Sequence, residues 1–171
     1  MKNIFLIGFM GTGKSTIASC LEKTYGMNIV EMDETIAMQQ KMSIPDIFEK
    51  YGEEHFRNLE TELLIEIQKK KNQVVSCGGG VPMREVNVIE MKKNGFVVLL
   101  TATPETILER VKEDDNRPLL HGNKNVKFIS ELLEKRREKY EAAADIVAAT
   151  DGKDAKEICE EIFEKIGEAV C

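Results

Sequence analysis

Eight residues near the start of the chain, Gly8-Phe9-Met10-Gly11-Thr12-Gly13-Lys14-Ser15, follow the pattern G-x-x-x-x-G-K-[ST]. At ordinary residue usage a chance match in a chain of this length has odds below about one in a hundred. An apolar run precedes the pattern and a segment of helical period follows it, the setting in which such a loop wraps phosphate. Its glycines let the backbone point N–H groups inward at a helix N-terminus, where an anion is stabilised. Lys14 would reach the β and γ phosphates, and the Ser15 hydroxyl would ligate Mg²⁺. The chemistry expected here is nucleotide binding. A guanine-reading Asn-Lys-x-Asp is missing, because Asn123-Lys124-Asn125-Val126 lacks the acid, and no Asp-x-x-Gly follows the 73–76 run. A signalling GTPase is therefore not expected.

The arginines differ in their neighbours. Arg137 has Glu134 at i−3 and Glu141 at i+4, so local ion pairs account for it. Arg136 has Leu132, Leu133, Lys139 and Tyr140 at those spacings and lies on the apolar stripe of Val126, Ile129, Leu132 and Leu133. A guanidinium on an inward face needs an anion from the fold or from a ligand, unless it snorkels to solvent. Arg57 has Glu53 and Glu60 on its own helix, and Arg110 has Glu113 and Asp114, so pairing explains both locally. Arg117 precedes Pro118 within the polar stretch 112–125. It reads either as a solvated side chain or as a mobile cation that closes over phosphates.

Two further clusters sit at predicted strand ends. Ser76-Cys77-Gly78-Gly79-Gly80 puts three glycines where an open α/β sheet forms its ligand crevice. Without side chains, Gly78, Gly79 and Gly80 would let a substrate lie against backbone N–H groups, the alternative being a flexible turn. Val30-Glu31-Met32-Asp33-Glu34 packs three acids where an apolar run gives way to helical period. Asp33 reads as a helix N-cap or as a group that takes a proton; Ile36 stands where a capping box would need Glu or Gln. Glu34 reads as a first-turn acid favoured by the helix dipole. His55 and His121 lack an acidic or nucleophilic setting, and Met27, Met32, Met38 and Met42 read as core filler.

The elements that must position these groups alternate along the chain. Apolar runs at Asn3–Ile7, Ile29–Met32, Gln73–Ser76, Phe96–Leu100 and Asp145–Ala149 predict strands. Helical period marks Ser15–Tyr25, Phe56–Lys69, Pro104–Lys112, Val126–Tyr140 and Ala155–Ala169, with two short stretches between Glu34 and Tyr51 divided near Ser43 and Pro45. Strands apolar on both faces, joined through helices, imply a parallel sheet covered on both sides. The predicted fold class is α/β: a single domain, 1–171, built as a three-layer α/β/α sandwich of P-loop NTPase type on a five-stranded parallel sheet. The formal charge of −6 and pI near 5.2 argue against a nucleic-acid surface, while an anionic small molecule needs only a few placed cations. No run reaches the length of a membrane span. Cys20, Cys77, Cys159 and Cys171 show no CxxC pairing, as in a reduced cytoplasmic protein.

Taken together, these residues resemble the shikimate kinases, small P-loop kinases related to the nucleoside monophosphate kinases. The resemblance runs in order through GFMGTGKST at 8–16, the acidic strand end at 31–33 and SIPDIFEKYGEEHFRNLE at 43–60. It continues through CGGG at 77–80, RPLL at 117–120 and KR-x-x-x-Y at 135–140. It implies Mg²⁺-dependent phosphorylation of the 3-hydroxyl of shikimate by ATP, in aromatic amino-acid biosynthesis, by a monomer.

By that resemblance Gly11, Thr12, Gly13, Lys14, Ser15 and Thr16 hold the ATP phosphates, and Arg110 with Lys153 in the Thr150–Lys153 turn forms the adenine surface. Arg57 and Arg136 grip the shikimate carboxylate, Gly78–Gly80 support the ring, and Asp33 contacts the ring hydroxyls and accepts the proton. The 34–60 segment binds substrate, and 112–125 is a lid whose Arg117 reaches the phosphates. The family's usual Asp-x-Asp is Glu31-Met32-Asp33 here, so the group that approaches Mg²⁺ through water is one methylene longer. The competing readings are a kinase for another small acceptor, such as gluconate or a nucleoside monophosphate, and a non-catalytic ATP-binding module.

Overall fold

The expected strands form one five-stranded parallel sheet: β1 Asn3–Ile7, β2 Asn28–Glu31, β3 Gln73–Ser76, β4 Gly95–Thr101 and β5 Ile146–Ala149, in the order β2-β3-β1-β4-β5. The computed structural model describes residues 1–112 and 125–170; the expectations placed on Arg117, His121 and the body of the 112–125 segment lie outside them. Eight α-helices stand among the described residues: α1 Lys14–Tyr25, α2 Met32–Gln40, α3 Ile44–Tyr51, α4 Glu53–Ile67, α5 Glu85–Lys93, α6 Pro104–Val111, α7 Val126–Ala143 and α8 Ala155–Val170.

Successive strand residues point to opposite faces, so each run feeds two cores. Phe5, Ile7, Val75, Val97 and Leu99 pack with Leu64, Met91 and Ile129 of α4, α5 and α7. Ile4, Leu6, Val74, Val98 and Leu100 pack with Ile17 and Leu21 of α1 and Ile158 and Ile162 of α8. Each such side chain contributes about 1.5–3 kcal/mol when fully buried, which holds the three layers together. The edge strands depart from the expectation of two apolar faces. Along β5 buried and exposed residues alternate, with Val147 exposed, and β2 is only partly covered. An edge strand has fewer neighbours to cover it.

Local signals set the helix ends. The Ser43 hydroxyl accepts from Asp46 N–H at 3.2 Å ahead of α3, and Asn125 Oδ1 accepts from Phe128 N–H at 2.8 Å ahead of α7. Helix α2 begins earlier than expected. Its cap position is Glu31 and its first residue is the buried Met32, so Asp33 is in the first turn and is not the N-cap. Met38 is exposed on that helix and fills no core gap. Helix α5 had no clear sequence signal, since its apolar residues fall on several faces and Val86 and Ile89 are exposed. Tertiary bonds fix it instead: Gln68 Nε2 donates to the Glu90 and Met91 carbonyls, and Asn87 donates to Val81 O at 2.9 Å and accepts from Thr61 at 2.7 Å.

The strand order sets the carboxyl ends of β1, β2 and β3 side by side. These lead respectively into the phosphate loop, Glu31–Asp33 and the glycine run. At the opposite end a buried Asn3 joins the strands, donating to Lys70 O at 3.0 Å and accepting from Gln73 N–H at 3.0 Å. Asn3→Ala removes both bonds and leaves the buried Gln73 N–H unpaired, a cost of about 1–3 kcal/mol. Urea unfolding measures this; a change below about 0.5 kcal/mol would show that the stitch carries no stability.

Candidate active site

The loop after β1 is shaped by glycines at left-handed φ. Gly11 has φ 79°, and a Cβ there would lie 2.8 Å from Val111 Cγ1, so both backbone and space exclude a side chain. Gly13, at φ 94°, forms the N-terminal boundary of α1. Lys14 Nζ donates to the Gly8 and Phe9 carbonyls at 2.9 and 3.0 Å, which holds the ammonium over the loop. Ser15 and Thr16 lie on the first turn of α1 and line the cavity. Thr12 instead faces inward, its hydroxyl donating to Phe9 O at 2.7 Å, so its side chain ties the loop to itself.

Glu113 and Asp114, the acids expected to pair with Arg110, lie outside the described residues. The Arg110 guanidinium donates to Gly11 O at 2.9 Å and Thr150 Oγ1 at 3.1 Å, clamping the phosphate loop to the end of β5. Thr150 in turn donates to Thr101 O at 2.8 Å. Arg110 lines the cavity. Lys153 does not: its ammonium pairs with Glu161 of α8 at 2.7 Å, so the structure turns it away from the other predicted site residues.

The glycine run proves to be about room for side chains. A Cβ on Gly78 would stand 2.7 Å from Glu60 Oε2 and 3.1 Å from Asp33 Oδ1. One on Gly79 would stand 3.0 Å from Arg136 Nη1, and one on Gly80 would fall inside the Arg57 guanidinium. Four charged side chains from α2, α4 and α7 thus occupy the volume that three Cβ atoms would have filled.

Each is held differently. Arg57 donates to Glu60 Oε1 at 2.6 Å and Glu53 Oε1 at 3.3 Å and lies over the Phe56 ring, so the local pairs form while the guanidinium still faces the cavity. No carboxylate pairs with Arg136 among the described residues. Its guanidinium lies 5.7 Å from the Phe9 ring centroid and donates to Tyr140 Oη at 3.3 Å, and Tyr140 donates to Gly79 O at 2.7 Å. Burial raises the Tyr140 phenol, with Arg136 opposing, so it stays a neutral donor. Arg137 pairs with Glu134 at 3.3 Å, outside the site, as its spacing indicated.

Glu60 is the residue that sequence reasoning undervalued, as a mere partner for Arg57. Its carboxyl is wholly buried. Burial pushes it up to about 7 despite the opposing pull of Arg57, and Asp33 adds to the rise. The signal was available, because Glu60 shares the stripe of Phe56, Leu63, Leu64 and Ile67, the reasoning that singled out Arg136. Cys77, at the end of β3, is buried and its thiol is pushed far up by desolvation, so it offers no nucleophile.

These groups line one cavity of about 800 Å³, which takes in Lys14, Ser15 and Arg110 together with Arg57, Arg136 and the glycine run. Glu31 and Asp33 line it too. No cluster of three His, Cys, Asp or Glu among the described residues would bind a metal alone. A hydroxyl and one carboxylate, Ser15 and Glu31, suit Mg²⁺, which keeps most of its water and takes few protein ligands beside phosphate. No helix among the described residues is long and apolar enough to cross a membrane.

The comparisons with known proteins agree with this geometry. The family model described as shikimate kinase matches residues 10–167. A shikimate kinase of Persephonella marina is 45% identical over 166 residues, covering 97% of this chain and 99% of its own. One of Thermodesulfovibrio yellowstonii is 42% identical over 165 residues, covering 96% and 95%. The solved shikimate kinase from Acinetobacter baumannii in complex with shikimate superposes with a TM-score of 0.93 at 33% identity, covering 99% of this chain and 94% of its own. Matches of this extent, with a phosphate loop and two arginines lining one cavity, leave one assignment: the chain belongs to the shikimate kinase family.

Proposed function

We propose that this protein transfers the γ-phosphoryl group of ATP to the 3-hydroxyl of shikimate, giving shikimate 3-phosphate and ADP. The observation that carries the reading is the convergence of Arg57 and Arg136, from two different helices, on a glycine run that lines the same cavity as the phosphate loop. Two planar guanidinium forks match a carboxylate, and both arginines line the cavity that Lys14 lines. That pair distinguishes an acid acceptor from a sugar or a nucleotide.

Binding places the acceptor carboxylate between Arg57 and Arg136, with the ring against Gly78–Gly80. Asp33, which lines the same cavity, orients the hydroxyl and takes its proton as the bond to phosphorus forms. Lys14, already held over the loop, stabilises charge on the transferring group, and Arg110 braces the loop beside the base. Ser15 and Glu31, the latter through water, would hold Mg²⁺, which when bound neutralises phosphate charge. Arg117 and its segment complete the phosphate contacts and exclude water.

Asp33→Asn should leave the KM for ATP near wild type and lower kcat by about two to four orders of magnitude. Near-normal turnover in steady-state assays would remove Asp33 from the role of base. Arg136→Ala should raise the KM for shikimate about 10–100-fold, with the KM for ATP changed far less. Equal effects on both substrates would argue against a carboxylate contact. Gly80→Ala displaces the Arg57 guanidinium without touching the phosphate loop, so the KM for shikimate alone should rise, by about tenfold.

A further inference from the structure

Glu60 is the only charged side chain in the buried set among the described residues. Its Oε1 accepts from Arg57 at 2.6 Å, whereas its Oε2 has no hydrogen-bond partner among the described residues. That unpartnered oxygen lies against Gly78, as does Asp33 Oδ1: a Cβ there would stand 2.7 Å from the first and 3.1 Å from the second. Two carboxyl groups meet over one glycine, and when both are ionised both present only acceptors. A single proton relieves the repulsion and supplies the missing donor.

Among the described residues, few charged groups face Glu60. Arg57 comes from its own helix, Asp33 from α2, and Arg84 from the residue before α5. Arg84 is itself taken by Asn58 at 2.9 Å and Glu54 at 2.8 Å, and Cys77 beside the glycine run is held neutral by burial. Burial, reinforced by Asp33, outweighs the pull of Arg57 and brings the carboxyl up to about 7.

We propose that Glu60 is a proton-holding positioning residue, and that the acceptor's carboxylate binds between Arg57 and Arg136 together with one proton taken up on Glu60 Oε2. The proposal rests on reading the cavity as a shikimate site. An ionised Glu60 neutralises Arg57 and competes with the incoming carboxylate for it. A neutral Glu60 leaves the guanidinium charge to the substrate, while its new O–H finds acceptors in Asp33 and the ring hydroxyls. The bound carboxylate raises the proton affinity of Glu60 further.

The sign follows from linkage. Well below pH 7 Glu60 already carries its proton, so binding takes up none. Above pH 7 the free protein has lost that proton, uptake approaches one, and affinity falls with pH by up to about tenfold per unit.

Isothermal titration calorimetry of the full chain with shikimate, in buffers of differing ionisation heat at about pH 6 and about pH 8.5, reads proton uptake directly. The expected result is near-zero uptake at the lower pH, uptake approaching one proton at the higher, and a Kd weakened by about tenfold or more between them. Glu60→Gln, which keeps an acceptor for Arg57 and a donor toward Asp33, should bind with no uptake and a pH-independent Kd. Wild-type binding at the higher pH without uptake would overturn the proposal, and so would unchanged uptake in Glu60→Gln. The wild-type arm decides alone if the variant misfolds. No binding at either pH would overturn the substrate reading and this proposal with it.

Discussion

The missing Cβ atoms of Gly78, Gly79 and Gly80 are the constraint on which the rest of the site depends. Because that stretch has no side chains, Asp33, Glu60, Arg136 and Arg57 reach the end of β3 from three separate helices. Any side chain on Gly78 or Gly80 would contact one of these charged groups at less than ordinary van der Waals distance. The sheet order makes the meeting possible, since β3 lies between β2, which leads into Asp33, and β1, which leads into the phosphate loop. Fold and site are therefore linked by one short segment.

The charges gathered there are a poor way to gain stability. A buried carboxyl beside an arginine and another acid loses more hydration than its partner returns, which is why its proton is held so tightly. Around it the fold supplies compensation: the hydroxyl chain from Arg136 through Tyr140 to Gly79 O, and the aromatic faces of Phe9 and Phe56 beneath the two guanidiniums. These contacts fix the cations before any ligand arrives. Preorganisation of that kind lowers the cost of binding a small anion and costs nothing during the reaction.

Much of this was legible in the residues. The phosphate loop is local, with its glycines, lysine and serine consecutive, so pattern alone located it. Arg136 stood out because its helical neighbours are apolar or basic, and the structure puts its guanidinium on the cavity. Arg57 was harder, because pairing with Glu53 and Glu60 looked like a sufficient explanation. The pairs do form, and the guanidinium still lines the cavity, since an ion pair occupies only part of an arginine's donor fork. Long-range contacts were not legible: Arg110 bonds Thr150 forty positions away, and Lys153 turns to Glu161. The glycine run was located correctly, but its purpose, room for side chains from other helices, depends on three-dimensional neighbours.

Glu31 carries its carboxylate one methylene beyond the aspartate usual in the family, yet it lines the cavity that Ser15 also lines. An ATP-binding module without turnover and a kinase for a different acceptor would both keep the phosphate loop; the pair of arginines at the glycine run is what a carboxylate acceptor adds. Coupled measurement of ADP release, with shikimate, gluconate and a nucleoside monophosphate offered in turn, separates them. ADP release that requires shikimate and Mg²⁺ is the expected result. Release driven by another acceptor, or ATP binding with no release in the presence of shikimate, would contradict the account.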